Sequence, residues 1–77
     1  MTRAEIFEII EDLAGVSPGT VQGDEVLVGL GEWDSLAGTE FRTAIAEEHG
    51  IKLSGVDMEP VQTVADILVL LQPHTDG

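Results

Sequence analysis

The sequence contains no cysteine and only three basic residues. Without cysteine the chain can form neither a disulfide nor a thiolate zinc site, and it has no cysteine nucleophile. A thiol-free composition suits a reducing compartment, so we predict a cytoplasmic protein. Long apolar runs are also missing: the longest, residues 67–71, is far too short to cross a bilayer, and no amino-terminal stretch resembles a signal peptide.

The scarcity of bases leaves the chain strongly acidic. The sequence has fifteen acidic residues and only three basic ones, Arg3, Arg42 and Lys52, which gives a formal net charge of −12. Nucleic acid and anionic membranes would repel such a chain, whereas basic protein surfaces would attract it. The simpler alternative is that the acids only keep a small protein soluble. An apolar content of 43% argues against simple disorder.

The length of 77 residues predicts one domain over residues 1–77, with an ordered core at about 3–72 and a disordered tail at 73–77. Apolar side chains recur at helical spacing in three segments, and a fourth short helix fits before Pro60. We therefore predict an all-α bundle of three principal helices and one short one. The expected helices cover residues 3–14, 35–49, part of 54–60, and 63–71.

Capping signals support these helix boundaries. Thr2 and Glu5 have capping-box spacing before the first helix, and Thr63 and Asp66 have it before the last. Gly15 is a natural stop for the first helix.

A glycine-rich segment without sustained periodicity, residues 15–34, separates the first two principal helices. A loop of this length that leads to a helix is more often functional than incidental. It ends in Gly31-Glu32-Trp33-Asp34-Ser35-Leu36, where Ser35 begins the second helix. A hydroxyl there is a helix cap, an attachment point, or both. The apolar residues expected to anchor the loop are Val21, Val26, Leu27 and Leu30.

Catalysis by Ser35 itself is not expected. His49 lies fourteen residues along the same helix, roughly 21 Å away, and His74 lies in the tail. The sequence has no G-x-S-x-G elbow, no calcium-loop spacing, no HExxH and no nucleotide-binding glycine motif. We therefore predict a non-catalytic protein without a metal site.

The second helix has one apolar residue outside its core-facing arc. Leu36 instead begins a polar stripe close to Ser35, and it is either a loosely packed first-turn residue or a partner contact. The stripe continues through Glu40, Thr43 and Glu47, whereas the core-facing arc contains Ala37, Phe41, Ala44 and Ile45.

Asp34-Ser35-Leu36 resembles the phosphopantetheine attachment motif of the acyl carrier protein family. The setting is similar too: Leu27 and Leu30 precede the motif, residues 47–53 resemble the family's acidic helix end with its glycine and alternating aliphatics, and residues 63–67 resemble the start of its last helix. The resemblance covers residues 3–72. It implies a four-helix bundle with a short third helix and a long loop between helices one and two.

The resemblance implies that Ser35 carries 4′-phosphopantetheine, transferred from coenzyme A by a Mg²⁺-dependent phosphopantetheinyl transferase. Acyl or related groups would be attached to the arm as thioesters. Asp34 is well placed to contact the Mg²⁺ and coenzyme A during loading. Other expected partners are acyltransferase, ketosynthase or adenylating enzymes with basic docking surfaces, and the carrier itself is expected to be a monomer. Expected partner contacts are Leu36, Glu40, Thr43, Glu47 and Met58.

Four residues depart from the family pattern. Trp33 replaces a small or acidic residue and is either a lid packed on the bundle or a contact for the arm or its cargo. Arg42 replaces a common aliphatic, and it either reaches solvent with its stem packed or contacts a polar cargo. The other two are Thr43, in place of a bulkier apolar residue, and His49, in place of a frequent aromatic. These departures favour a discrete carrier of polyketide, aminoacyl or other specialised biosynthesis over fatty-acid synthesis. The alternative is a small acidic interaction module or inhibitor in which Ser35 is only a helix cap.

Overall fold

The computed structural model describes residues 1–76, and it confirms the predicted all-α architecture. The three longer helices and the short third one lie where the sequence placed them, and a 3-10 turn follows the last helix. Among the described residues, no helix is long and apolar enough to cross a membrane. The elements are α1 (Arg3–Ala14), α2 (Ser35–His49), α3 (Gly55–Met58), α4 (Val64–Leu70) and the 3-10 turn (Gln72–His74).

Local side-chain chemistry fixes the helix ends. Both predicted capping boxes are present: the Glu5 N–H donates to Thr2 Oγ1, and the Asp66 N–H donates to the Thr63 hydroxyl. A third capping box, which the sequence did not reveal, begins α3 at Ser54. Gly15 ends α1 in the left-handed conformation, with φ of 70°.

The core lies where α1, α2 and α4 meet. The predicted inward arc of α2 is confirmed, because Ala37, Phe41 and Ile45 are buried and Ala44 is partly buried. Removal of this apolar surface from water is the main driving force for the fold. The largest fully buried side chains are Phe41, Ile6, Ile10, Ile45, Ile67, Leu71 and Val64.

Three of the four predicted anchors hold the long loop. Val21 and Leu27 are buried and Leu30 is partly buried, but the prediction for Val26 was wrong, since its side chain is 58% exposed. Neighbouring side chains in an extended segment point to opposite faces, so burial of Leu27 turns Val26 outward. The segment is instead held through its backbone: the Leu27 N–H donates to the Gln62 carbonyl at 3.0 Å, beside an isolated bridge of Val26 to Thr63.

A buried carboxylate fixes the first part of the loop. Glu11 is only 5% exposed, and its Oε2 accepts hydrogen bonds from the Gly19 N–H at 2.9 Å and the Val21 N–H at 3.0 Å. These bonds satisfy two loop amides that have no helical partner. They tie the first part of the loop to α1, well before the loop reaches α2 at Ser35.

Backbone contact with α1 fixes the last part of the loop. The Glu32 N–H donates to the Ala14 carbonyl at 2.7 Å. Gly31 has φ of 54°, and a Cβ there would collide with the same carbonyl oxygen. Only glycine permits this close approach, which sets where α2 begins.

The carboxyl-terminal segment differs from the predicted disordered tail. Residues 72–74 form the 3-10 turn, and the Met1 ammonium lies 3.2 Å from Asp76 Oδ2 and donates to the His74 carbonyl. The opposite charges at the two chain ends account for this contact. Gly77, the last residue of the predicted tail, lies outside the described residues.

Candidate functional site

Asp34, not Ser35, is the N-cap of α2. Its Oδ1 accepts from the Leu36 N–H at 3.0 Å and the Ala37 N–H at 3.1 Å. The interpretation of Ser35 as a cap was therefore wrong: the cap needs extended backbone, which Asp34 has, and Ser35 is already the first helical residue. Asp34 also occupies two of the first-turn amides that the sequence left free for an attached anion.

The Ser35 side chain is free for chemistry. The residue is exposed, and within residues 1–76 its hydroxyl makes no hydrogen bond to another protein group. It lies at the amino-terminal end of a 15-residue helix, where the helix dipole favours an anion. An exposed hydroxyl in this position fits a phosphodiester linkage, because both the space and the electrostatic field permit it.

The stripe beside Ser35 faces solvent, as predicted. Leu36 is 66% exposed although it is a large apolar side chain, and Glu40, Thr43 and Glu47 are exposed along the same helix. Leu36 is therefore not a core residue. Its role in partner contact stays a prediction.

An open groove of about 600 Å³ runs beside Ser35, between α2, α3 and the end of the long loop. Trp33 forms part of its wall and packs on the core, with its ring centroid 6.4 Å from that of Phe41. Met58 also faces this groove and is partly buried, whereas the stripe headed by Leu36 is exposed. The groove is lined by Leu27, Val28, Trp33, Asp34, Ser35, Gly38, Thr39, Arg42, Gly55, Met58, Glu59 and Val61.

Arg42 brings a positive charge to the same groove. The side chain is half-buried, and its Nε donates to the Leu53 carbonyl at 3.0 Å. Nearby, the backbone N–H of Ser54 holds the pKa of the Asp57 carboxyl below its ordinary value, with further help from the Ser54 hydroxyl and the Arg42 charge. The structure thus brings Ser35, Trp33 and Arg42 to one groove.

Sequence reasoning missed two exposed apolar residues around the site. Val28 precedes it in the loop, and Val56 lies on α3. Their signal was an apolar residue in a segment otherwise rich in glycine and acids, which single-sequence periodicity does not separate from a core anchor.

Neither histidine is placed to serve Ser35 as a base. His49 ends α2, fourteen residues from Ser35. The His74 carbonyl bonds the chain's amino terminus. Among residues 1–76 there is also no cluster of three or more histidine or acidic side chains that could hold a metal ion.

Together, the fold and the site define a small helical domain that presents one serine hydroxyl at a helix start, beside a groove and an exposed leucine. Residues 4–71 match the family model described as the phosphopantetheine attachment site. The chain belongs to the acyl carrier protein family, whose covalent cofactor is 4′-phosphopantetheine.

Individual relatives agree with this family. The chain is 30% identical over 69 residues to an acyl carrier protein of Rhodococcus erythropolis, across 90% of this chain and 76% of that protein. It is 33% identical over 70 residues to an acyl carrier protein of Chlamydia trachomatis, across 91% of each. It is 29% identical over 69 residues to the meromycolate extension acyl carrier protein of Mycobacterium leprae, of which the match spans 60%.

Proposed function

We propose that Ser35 is the residue that carries 4′-phosphopantetheine, and that the chain presents acyl groups as thioesters on this arm. The observation that carries the proposal is the exposed, unbonded Ser35 hydroxyl at the start of α2. A domain of this size gains reach from a flexible arm, because the arm keeps the cargo at high local concentration near a docked enzyme. The carrier itself performs no catalysis.

Loading would require a separate transferase with coenzyme A and Mg²⁺. The Ser35 oxygen forms a bond to the phosphorus next to pantetheine, the bond from that phosphorus to the leaving 3′,5′-ADP breaks, and a base takes the hydroxyl proton. Asp34 Oδ1 is occupied by the helix cap. Its other oxygen, Oδ2, is the atom we assign to contact with Mg²⁺, an ion that prefers carboxylate and phosphate oxygens.

Partner enzymes would dock on the exposed stripe of α2. An apolar side chain beside the attachment residue offers a contact that excludes water, and the surrounding acids favour a basic surface on the partner. The partners we propose are the phosphopantetheinyl transferase and acyltransferase, ketosynthase or adenylating enzymes. The docking residues are Leu36, Glu40, Thr43 and Glu47, with Met58 at the groove side.

The cargo is proposed to be an acyl chain. The relatives are described as acyl carrier proteins, including carriers of meromycolate extension, which favours fatty-acyl-like cargo over an aminoacyl group. The half-buried Arg42 in a mostly apolar groove favours a more polar chain, such as a polyketide intermediate.

A non-carrier function is the second candidate, since the net charge of −12 also fits an acidic interaction module. That candidate assigns Ser35 only a capping role. Because Asp34 provides the cap, the Ser35 hydroxyl has no structural task in the described chain. This observation favours the carrier.

The decisive test is a loading reaction followed by intact mass measurement. The purified chain is incubated with coenzyme A, Mg²⁺ and a broad-specificity transferase. We expect a gain of one phosphopantetheine in the wild type and in the control Ser17→Ala, and no gain in Ser35→Ala. Absence of a gain in the wild type, or an equal gain in Ser35→Ala, would overturn the proposal.

A further inference from the structure

The groove beside Ser35 contains a single basic side chain among its lining residues, that of Arg42. The chain's other arginine is elsewhere: Arg3 lies over the Phe7 ring, 5.5 Å from its centroid. With fifteen acids in the sequence, an arginine is expected to be paired with a carboxylate. Within residues 1–76, however, no carboxylate lies within ion-pair distance of Arg42.

The position of the Arg42 guanidinium is fixed without neutralising its charge. Nε donates to the Leu53 carbonyl at 3.0 Å, and Nη1 lies 3.7 Å from where a Cβ of Gly55 would be. The nearby Asp57 carboxylate is engaged with the Ser54 backbone N–H at 2.9 Å. The terminal N–H groups of Arg42 therefore remain available to an oxygen anion in the groove.

Most of the remaining groove surface is apolar and suits a hydrocarbon chain. Leu27, Trp33, Met58 and Val61 provide apolar walls, and Gly38 leaves open space where a side chain would stand. An apolar channel with one cation at its edge is complementary to a chain that has an anionic end. We propose that this groove holds an acyl group ending in a carboxylate, with the carboxylate paired to the Arg42 guanidinium.

The position of Arg42 relative to Ser35 supports this arrangement. Both residues border the groove on the same face of α2, seven residues apart, which is roughly 10.5 Å along the helix axis. A chain attached through an arm at Ser35 can fold back over this distance. Glu59 also borders the groove, but at the far end of α3 from Gly55, so it repels a carboxylate from that end and favours the Arg42 end.

This inference rests on attachment at Ser35. The anion that pairs with Arg42 has two possible sources, the carboxylate of the cargo and the phosphate of the arm itself. The cargo is the source we assign, because the guanidinium is held toward Leu53 and Gly55, next to α3, and not toward the start of α2.

The test compares three loaded forms of the full chain by amide-resolved NMR: the form made with coenzyme A alone, the glutaryl form and the uncharged hexanoyl form. The signals followed are the backbone amides of Gly38 and Thr39 and the Nε–H of Arg42. We expect the glutaryl form to shift these signals beyond the other two forms. In Arg42→Gln the groove-bound share of the glutaryl chain should fall about two- to fivefold, as expected for loss of one partly exposed ion pair.

Two further variants separate charge from structure. Arg3→Gln removes the same charge at a distance and should leave the glutaryl shifts unchanged. Arg42→Lys lacks the guanidinium Nε–H but keeps the charge, so it should retain most of the Gly38 and Thr39 amide shifts. A glutaryl form that behaves like the hexanoyl form, or an effect unaltered in Arg42→Gln, would overturn the inference. Shifts already complete without cargo would assign the anion to the arm's phosphate and also overturn it. Failure to load Ser35, read from the mass, would overturn the carrier function as well.

Discussion

Leu36 is the residue whose exposure most needs an explanation, because a leucine 66% open to solvent gains little from the fold. We expect Leu36→Ala to change the free energy of unfolding by less than about 0.5 kcal/mol. If partner enzymes grip this side chain, kcat/KM for phosphopantetheinyl transfer should fall about fivefold or more. Urea unfolding and a loading assay measure the two effects.

Val69→Ala is the matched control for Leu36→Ala. Val69 is 70% exposed on α4 and does not line the groove beside Ser35. Its truncation should leave loading unchanged. Substantial unfolding of Leu36→Ala, or an equal loss of loading in the two variants, would contradict the assigned role.

At the scale of single residues, the sequence located the site but did not show which of Asp34 and Ser35 caps the helix. The helical period alone placed Leu36 outside the core-facing arc. The sequence suggested only Ser35 as the helix cap, whereas the extended backbone of Asp34, with φ of −139°, makes that residue the cap.

At the scale of elements, a few contacts with α1 fix the path of the long loop. The contact at Gly31 leaves the least room for a side chain. Gly31→Ala should lower the free energy of unfolding by about 2–4 kcal/mol for two reasons. The new Cβ collides with the Ala14 carbonyl oxygen, and alanine is strained in the left-handed backbone conformation of this residue. Gly50→Ala is the control, with φ of 68° and open space around its Cβ position. It should cost only about 1–2 kcal/mol, and equal losses in urea unfolding would contradict the clash.

The helices were predictable from sequence because their signals are local. The organisation of the loop was not, since it depends on contacts between distant residues. Glu11 is the clearest example: in sequence it is one acid of several in an amphipathic helix, and only the fold shows its carboxylate buried against the Gly19 and Val21 amides. Groove residues such as Arg42 and Met58 are likewise brought together only by the packing of α2 against the segment that contains α3.

At the scale of the whole molecule, acidity has two opposing effects on stability. Hydrogen bonds from backbone N–H groups lower the pKa of four carboxyls. The main donors are the N–H of Thr2 for Glu5, of Gln22 for Glu25, of Ser54 for Asp57 and of Gln62 for Asp66. A lowered pKa stabilises the fold above the group's ordinary value, and this contribution is lost as the pH falls through the folded value. Protonation of the other acids instead relieves repulsion within a chain of net charge −12.

Two variants of equal charge separate these effects. Asp66 Oδ2 accepts from the Gln62 N–H at 2.9 Å and the Thr63 N–H at 3.1 Å, whereas Asp24 is an exposed acid of the loop. At pH 7 we expect a lower Tm for Asp66→Asn than for Asp24→Asn, since only the first loses the bonded carboxylate. The gap should narrow as the pH falls below 3.8, the ordinary aspartate value, and through the lowered folded pKa of Asp66. A constant gap in thermal unfolding curves would contradict this origin.

The position of Trp33 makes the site optically distinguishable from the rest of the protein. It is the only tryptophan in the sequence, and it lies in the groove wall two residues from Ser35. Selective excitation of the tryptophan in the unlabelled protein therefore reports on one location. Emission from the native chain is a dye-free signal from the place where arm and cargo would lie.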